Sequence, residues 1–417
     1  MTPASGTWSS LLALPLCARW LLLGMGLTRV ASFMIWPFIA VTMHQRFGTP
    51  ITDIGAQLAL GAVLAIALAP LSGWLGDRFN SRNLMLLGCV LCAACYTLMG
   101  LLPGQSSYFL AIIGLAVAQS ILEPLLRVLL SDLAVDDAQR TFLFHIRYYV
   151  VNCAAAIGPL LGLGLAGGQG DAVFAVAVVA YAVLILTLLE ACRARLRQCP
   201  RTSAASLPLG QVLRAVLGNR LFLVILLANF FLVLVYAQLD EPLTFYLLQL
   251  QLPQIKQVIA SISFTNACVV VGVHLFMMRW LIALAERSAY LLALGCLMVA
   301  HALIALNVHA WWGGWLIAVV FATLAEIIVM PLFASLIDRL APAGMRGSFI
   351  GISMLAGLGA AIAPWLGALV ISHYGGVALF ATLALACVPI GLLGYHALRA
   401  GRACTLAGHP QALEPTR

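Results

Sequence analysis

Apolar residues run through this chain in stretches of about twenty, separated by short polar breaks, and twelve such stretches can be read. A helix needs about 20 apolar residues to cross a hydrocarbon layer. The runs lack the two-residue alternation of a membrane barrel, so the pattern predicts an all-α membrane protein. The predicted spans are 18–43, 54–76, 83–103, 107–132, 143–166, 172–192, 221–249, 255–283, 288–307, 313–337, 348–371 and 377–398. The longest polar stretch divides them into two sets of six. Residues 1–192 form one predicted six-helix bundle, 193–220 a basic linker, and 221–417 a second bundle with a short tail.

Composition narrows the class. Of 417 residues 63% are hydrophobic and 9% charged, whereas soluble domains keep about a quarter of their residues charged. The net charge of +8 is topological rather than a sign of nucleic-acid binding. Among 22 Lys and Arg residues only Arg46 and Lys256 fall on one face, with Arg29 and Arg127 inside spans. The rest fall on the other face, which by the positive-inside rule is cytoplasmic and holds both termini. A cell inner membrane location follows, with the RARLRQCPR part of the linker beside anionic headgroups. The first apolar run leads straight into a full span, so no cleavable signal is expected. Cys89, Cys92 and Cys95 lack a visible polar shell for a metal and read as small apolar residues. No phosphate loop, HExxH or nucleophile elbow is present. Neither ATP-driven transport nor an enzyme is expected; no cofactor is called for, and a proton gradient would supply the driving force. A monomer with a small-molecule substrate, protons and lipid as its partners is expected.

The halves repeat. Glu123-Pro124, Asp132, Arg140, Phe142 and Gly158-Pro159 with Gly162 recur as Pro331, Asp338, Arg346, Phe349 and Ala363-Pro364 with Gly367. The Asp-to-Arg interval is the same in both copies, and Pro37 corresponds to Pro242. Parallel six-helix repeats about a membrane-normal axis place a substrate site near the midplane between them.

Three motifs carry a family resemblance. Gly73-Trp74-Leu75-Gly76-Asp77-Arg78-Phe79-Asn80-Ser81-Arg82 joins the second and third spans and resembles the GxLaDRxGRR loop of the major facilitator superfamily. Asn80 stands in place of its glycine, with a left-handed turn as the expectation. The resemblance implies a latch between the halves made by Gly73, Asp77, Arg78 and Arg82, with Asp132 in its charge network. Asn152 to Gly162, centred on Gly158-Pro159, resembles a shortened antiporter motif. Ala325-Glu326-Ile327-Ile328-Val329-Met330-Pro331 with Ile337-Asp338-Arg339 resembles the tenth helix of the drug:proton antiporter branch, which includes multidrug and dipeptide exporters. That resemblance implies a coupling carboxylate at Glu326. Where related exporters can carry an acid on the fifth helix, this chain has Arg147 among His145, Tyr148 and Tyr149. This weakens an expectation of purely cationic substrates and admits zwitterionic or acidic ones.

The ionisable residues inside oily segments are the candidate chemistry. A charge at bilayer depth costs roughly 2.5–3.5 kcal/mol on insertion scales, so it persists when paired or functional. Glu326, Asp240 and Glu123 are the candidate proton-coupling groups. A carboxyl sheltered from water can hold a proton and release it when water or a cation arrives. Asp240 and Glu241 precede Pro242; on a continuous helix they would point about 100° apart, so one, Asp240, is expected to face a cavity. Glu123 and Arg127 are four apart and can pair. Arg29 has no acid on its own helix and is expected either to meet Asp240, Glu241 or Glu326 across the halves or to bind an anionic substrate group. Arg29, Glu241, Trp36, Tyr236 and Arg147 are candidate substrate contacts. Phe38 and Phe245 are further candidates for an aromatic wall, and His274 and His301 are expected to be packed. The expected function is proton-coupled export of small amphipathic or hydrophobic compounds, with an uptake permease as the alternative.

Overall fold

The computed structural model describes residues 14–78, 80–102, 104–166, 172–195, 209–283, 285–340, 349 and 352–406. Among these residues, twelve helices are long and apolar enough to cross a membrane: Leu16–Phe47, Ile51–Leu68, Ser81–Leu101, Gln105–Asp132, Phe142–Leu165, Ala172–Arg193, Arg220–Gln249, Ile255–Val273, Glu286–Leu306, Trp312–Met330, Met354–Tyr374 and Gly376–Arg399. The all-α, twelve-span expectation holds. Residues 196–208 of the predicted linker lie outside the described residues. The sequence reading missed a short helix there, Leu209–Gly218, which leads into Asn219. The Asn219 side chain accepts a 3.0 Å hydrogen bond from the Phe222 amide and so caps the seventh span.

Packing follows the repeat. The first span lies against the fifth and sixth, and the third against the fourth and sixth. In the second half, the seventh lies against the eleventh and twelfth, and the ninth against the tenth and twelfth. Among the described residues, the two most extensive contacts between the halves are the second span with the eleventh and the fifth with the eighth. These are the same contact under exchange of halves, as a pseudo-twofold axis requires. At the first of them Gly55 is needed for close approach: a Cβ there would lie 2.5 Å from the Pro364 carbonyl oxygen.

The first and seventh spans are each broken at the same place. The first runs as an α-helix from Leu16 to Ile35, passes through a 3-10 turn at Trp36–Phe38, and resumes at Ile39–Phe47. The seventh runs from Arg220 to Tyr236, turns at Ala237–Leu239 and resumes at Glu241–Gln249. Pro37 and Pro242 explain both breaks, since each lacks the N–H that would bond the preceding turn. At Asp240 the backbone leaves the helical region altogether, with φ −90° and ψ −111°. Irregular backbone at membrane depth is tolerated where it lines a cavity.

Beyond its break, the seventh span packs against the Ile39–Phe47 segment, the second span and the eleventh. Every residue from Pro242 to Leu248 is buried there, the Tyr246 ring packs tilted against Phe380 at 5.7 Å, and the Gly376 amide donates to Gln249 Oε1 at 3.3 Å. This closes the molecule at the end that carries the 249–255 connection, opposite the linker.

Candidate functional site

Beneath that closure lies a cavity of about 350 Å³ between the halves. Phe33, Trp36, Pro37 and Ala155 come from the first half; Tyr236, Asp240, Glu241, Ser263, Asn266 and Glu326 come from the second. The two broken spans contribute most of the wall because their turns expose side chains that a straight helix would hold against its neighbours. The expectation that only one of the adjacent acids faces the cavity is corrected: Asp240 and Glu241 both line it. The 100° argument fails because Asp240 sits outside the helix, at the break.

Glu326, on the tenth span, is held by the seventh and the eighth. Its Oε2 accepts a 2.5 Å hydrogen bond from the Tyr236 hydroxyl and a 3.4 Å one from Asn266 Nδ2. Asn266 also donates to Thr323 Oγ1 at 2.9 Å, and that hydroxyl donates to the Val319 carbonyl at 2.8 Å. Among the described residues no ion pair reaches Asp240, Glu241 or Glu326. Neutral donors on one oxygen orient the Glu326 carboxyl without neutralising it, and the second oxygen is left for a proton or a ligand. Asn266 and Thr323 were not singled out from the sequence. Their only signal was uncharged polarity within apolar spans.

Of the candidate aromatics, Trp36 and Tyr236 line the cavity. Phe38 and Phe245 do not; both are buried in the helix packing. His301 is fully buried and stacks on Phe380 at 5.8 Å, whereas the side chain of His274 lies outside the described residues.

In the first half the charges gather on Glu123. Arg29 of the first span pairs with Glu123 Oε1, Arg147 of the fifth donates to Oε2 at 2.7 Å, and Arg127 Nε stands 3.8 Å away. The expected partner of Arg29 across the halves is corrected to Glu123, on a neighbouring helix of the same half. The expected pairing of Glu123 with Arg127 is the longest of the three. Arg147, counted with the basic residues of the cytoplasmic face and as a candidate substrate contact, reaches this cluster and keeps only 15% of its side chain exposed. Three guanidiniums about one carboxylate leave a surplus of positive charge on this side of the cavity.

The remaining candidates are dispersed. Gly158 packs on the first span; a Cβ there would come within 2.5 Å of Phe33 Cβ and 3.0 Å of the Val30 carbonyl oxygen. Pro159 is accommodated inside the same helix. Asp132 ends the fourth span. Arg82 is exposed, and its amide donates to Asn80 Oδ1 at 3.0 Å. Asn80 is extended, with φ −63° and ψ 108°, and caps the third span. This corrects the left-handed turn, because an asparagine ahead of a helix satisfies its free amides best from extended backbone. The side chains of Gly73, Asp77 and Arg78 lie outside the described residues.

Twelve spans in two halves related by a pseudo-twofold axis, with a polar cavity between broken helices, define a membrane transporter. The chain matches the Major Facilitator Superfamily over residues 21–357 and belongs to it. It is 22% identical over 350 residues to an uncharacterized MFS-type transporter, YqjV, of Bacillus subtilis (strain 168), covering 83% of this chain and 84% of that protein. It is 23% identical over 372 residues to a Na(+), Li(+), K(+)/H(+) antiporter of Planococcus maritimus, covering 82% and 87%. Among solved structures, a POT family transporter in complex with 5-aminolevulinic acid superposes with a TM-score of 0.76 at 14% identity, over 92% of this chain and 98% of that one. The protein is therefore a multi-pass secondary active transporter of a small-molecule substrate, in a family of transporters rather than enzymes.

Proposed function

We propose that this chain is a proton-coupled antiporter that exports small amphipathic organic compounds, with both termini cytoplasmic in a cell inner membrane. Glu326 is its coupling carboxylate, Asp240 shares that role from the break in the seventh span, and Glu123 organises the arginines of the first half. The observation that carries this reading is a cavity-facing Glu326 held by Tyr236 and Asn266 and paired with no cation among the described residues.

Protonated, Glu326 is neutral and suits a cavity shut off from water; ionised, it suits water or a cationic group. Proton and substrate then compete for one site, and each drives the other by its difference in affinity for the two access states. Glu241 and Trp36 contribute substrate contacts, and the 73–82 segment with Asp132 acts as the latch between access states.

Inverted membrane vesicles test direction and coupling together. An exporter accumulates substrate when the lumen is acidified, whereas a proton-coupled uptake permease is driven the opposite way. A Glu326→Gln variant that still shows gradient-driven accumulation overturns the assignment.

A second reading has an observation of its own. The carboxylates of Asp240, Glu241 and Glu326 line one cavity and give it a negative charge that attracts cations, although among the described residues no three of them gather closely enough to hold a metal ion; one relative exchanges monovalent cations for protons. Dissipation of an acid-inside gradient by sodium, lithium or potassium chloride, with no response to organic compounds, favours this reading.

A further inference from the structure

A second cavity, of about 250 Å³, lies inside the first half between the first, second and fourth spans. Phe33 and Trp36 belong to its wall and to that of the main cavity, so the two spaces meet at one pair of aromatic side chains. Its polar groups are Arg29, Ser32 and Gln119; the rest of its lining, with Leu58, Ile112 and Leu115, is apolar. Arg29, Phe33 and Trp36 are spaced four and three apart and share one helix face.

The charge arrangement around this pocket has a redundancy that static pairing does not require. One carboxylate, Glu123, is met by Arg29, Arg147 and Arg127, and Arg147 has a buried Nε with no hydrogen-bond partner among the described residues. Donors exceed acceptors. If Arg29 turned away from Glu123, the carboxylate would keep the 2.7 Å bond from Arg147 and the neighbouring Arg127. Releasing Arg29 therefore orphans no charge. Across Phe33 and Trp36 stand three carboxylates that pair with no cation among the described residues.

We propose that Arg29 forms an anion subsite for the substrate, so that the transported compound is a small zwitterion with an apolar body. Its carboxylate takes the place of Glu123 on Arg29, its ammonium faces Asp240, Glu241 or Glu326, and its body lies against Phe33 and Trp36. The inference rests on the reading of the main cavity as the transport site, and it narrows the substrate class.

Three probes separate the charges: leucyl-phenylalanine as the zwitterion, its C-terminal amide as the cation and its N-acetyl form as the anion. Isothermal titration of the purified full chain in detergent measures binding without reference to coupling. The expected result is that the zwitterion binds at least about tenfold tighter than the amide, the factor a charge-assisted hydrogen bond supplies. In Arg29→Gln that advantage shrinks to within about twofold, and Arg29→Lys retains part of it. Arg193→Gln, whose exposed side chain pairs only with Glu190 among the described residues, serves as the control, and a thermal melt confirms that each variant folds. Equal binding of zwitterion and amide by the unaltered chain, no binding of any probe, or an undiminished advantage in Arg29→Gln overturns the subsite. Dissipation of a pH gradient in proteoliposomes is read separately. A zwitterion preference without dissipation overturns proton exchange and leaves the subsite standing, whereas dissipation without the preference does the reverse.

Discussion

The Tyr236 hydroxyl and the Glu326 carboxylate meet at 2.5 Å across the seam between the seventh and tenth spans. The contact ties the coupling candidate to the last helical residue before the break at Ala237–Leu239. Any motion of the broken helix is thereby felt at the carboxylate, and a change in charge at the carboxylate is felt at the break.

Removing that hydroxyl in Tyr236→Phe leaves Asn266, at 3.4 Å, as the remaining donor. A hydrogen bond to a charged group contributes roughly 1.5–3 kcal/mol, so gradient-driven exchange is expected to slow about tenfold or more. Glu326→Gln is expected to abolish it while substrate–substrate counterflow continues. Proteoliposome assays of both modes check this, and equal loss of counterflow would show that Glu326 serves binding rather than coupling.

Glu123→Gln deprives three arginines of their shared acceptor. Removing one partner of a buried pair costs about 3–5 kcal/mol; because Glu123 keeps 21% and Arg127 51% of the side chain exposed, a loss nearer about 2 kcal/mol is expected. Glu123→Gln combined with Arg147→Gln is expected to be less destabilised than the two single losses summed, since the double change removes a charge of each sign. Thermal melts of the four proteins in detergent measure the coupling, and strict additivity would count against a shared cluster.

Gly158→Val places two methyl groups where even a Cβ would overlap Phe33 and the Val30 carbonyl. Overpacking of this kind costs typically 1–3 kcal/mol. The melting temperature is expected to fall and transport to drop with it, because the displaced first span carries Phe33 and Trp36. Gly158→Ala is expected to lie between, and an unchanged melt for valine would show that the two helices are not held this closely.

Pro242→Ala restores an amide that can bond the Gln238 carbonyl one turn earlier. The expected outcome is an unchanged or raised melting temperature with transport reduced several-fold, since straightening the seventh span withdraws Asp240 from the cavity wall. Transport at the unaltered rate would remove the break from the mechanism.

The sequence was informative where one physical constraint dominated. A backbone in lipid must satisfy its own hydrogen bonds, so twelve apolar runs could only be helices, and the spans fall close to the predicted ranges. The matching prolines at 37 and 242 marked the breaks because a missing N–H acts locally. Glu326 stood out because an acid at that depth is costly. Asn266 and Thr323 did not, since an uncharged polar residue in a span costs little and leaves little trace in the pattern.

Pairing was a different matter. Arg147 and Glu123 lie 24 residues apart and meet at 2.7 Å, and Arg29 joins them from another helix. Which charges meet depends on how the helices are rotated and how deep each sits, and periodicity along one chain does not encode either across helices. Asp240 and Glu241 make the same point within one helix: their shared view of the cavity comes from a backbone turn at Asp240 that helical geometry excludes. The chain by itself determined the class of fold and which residues are expensive to keep in a membrane. Tertiary structure alone decided which of them neutralise one another and which are left facing open space, because charge compensation is a property of three-dimensional distance.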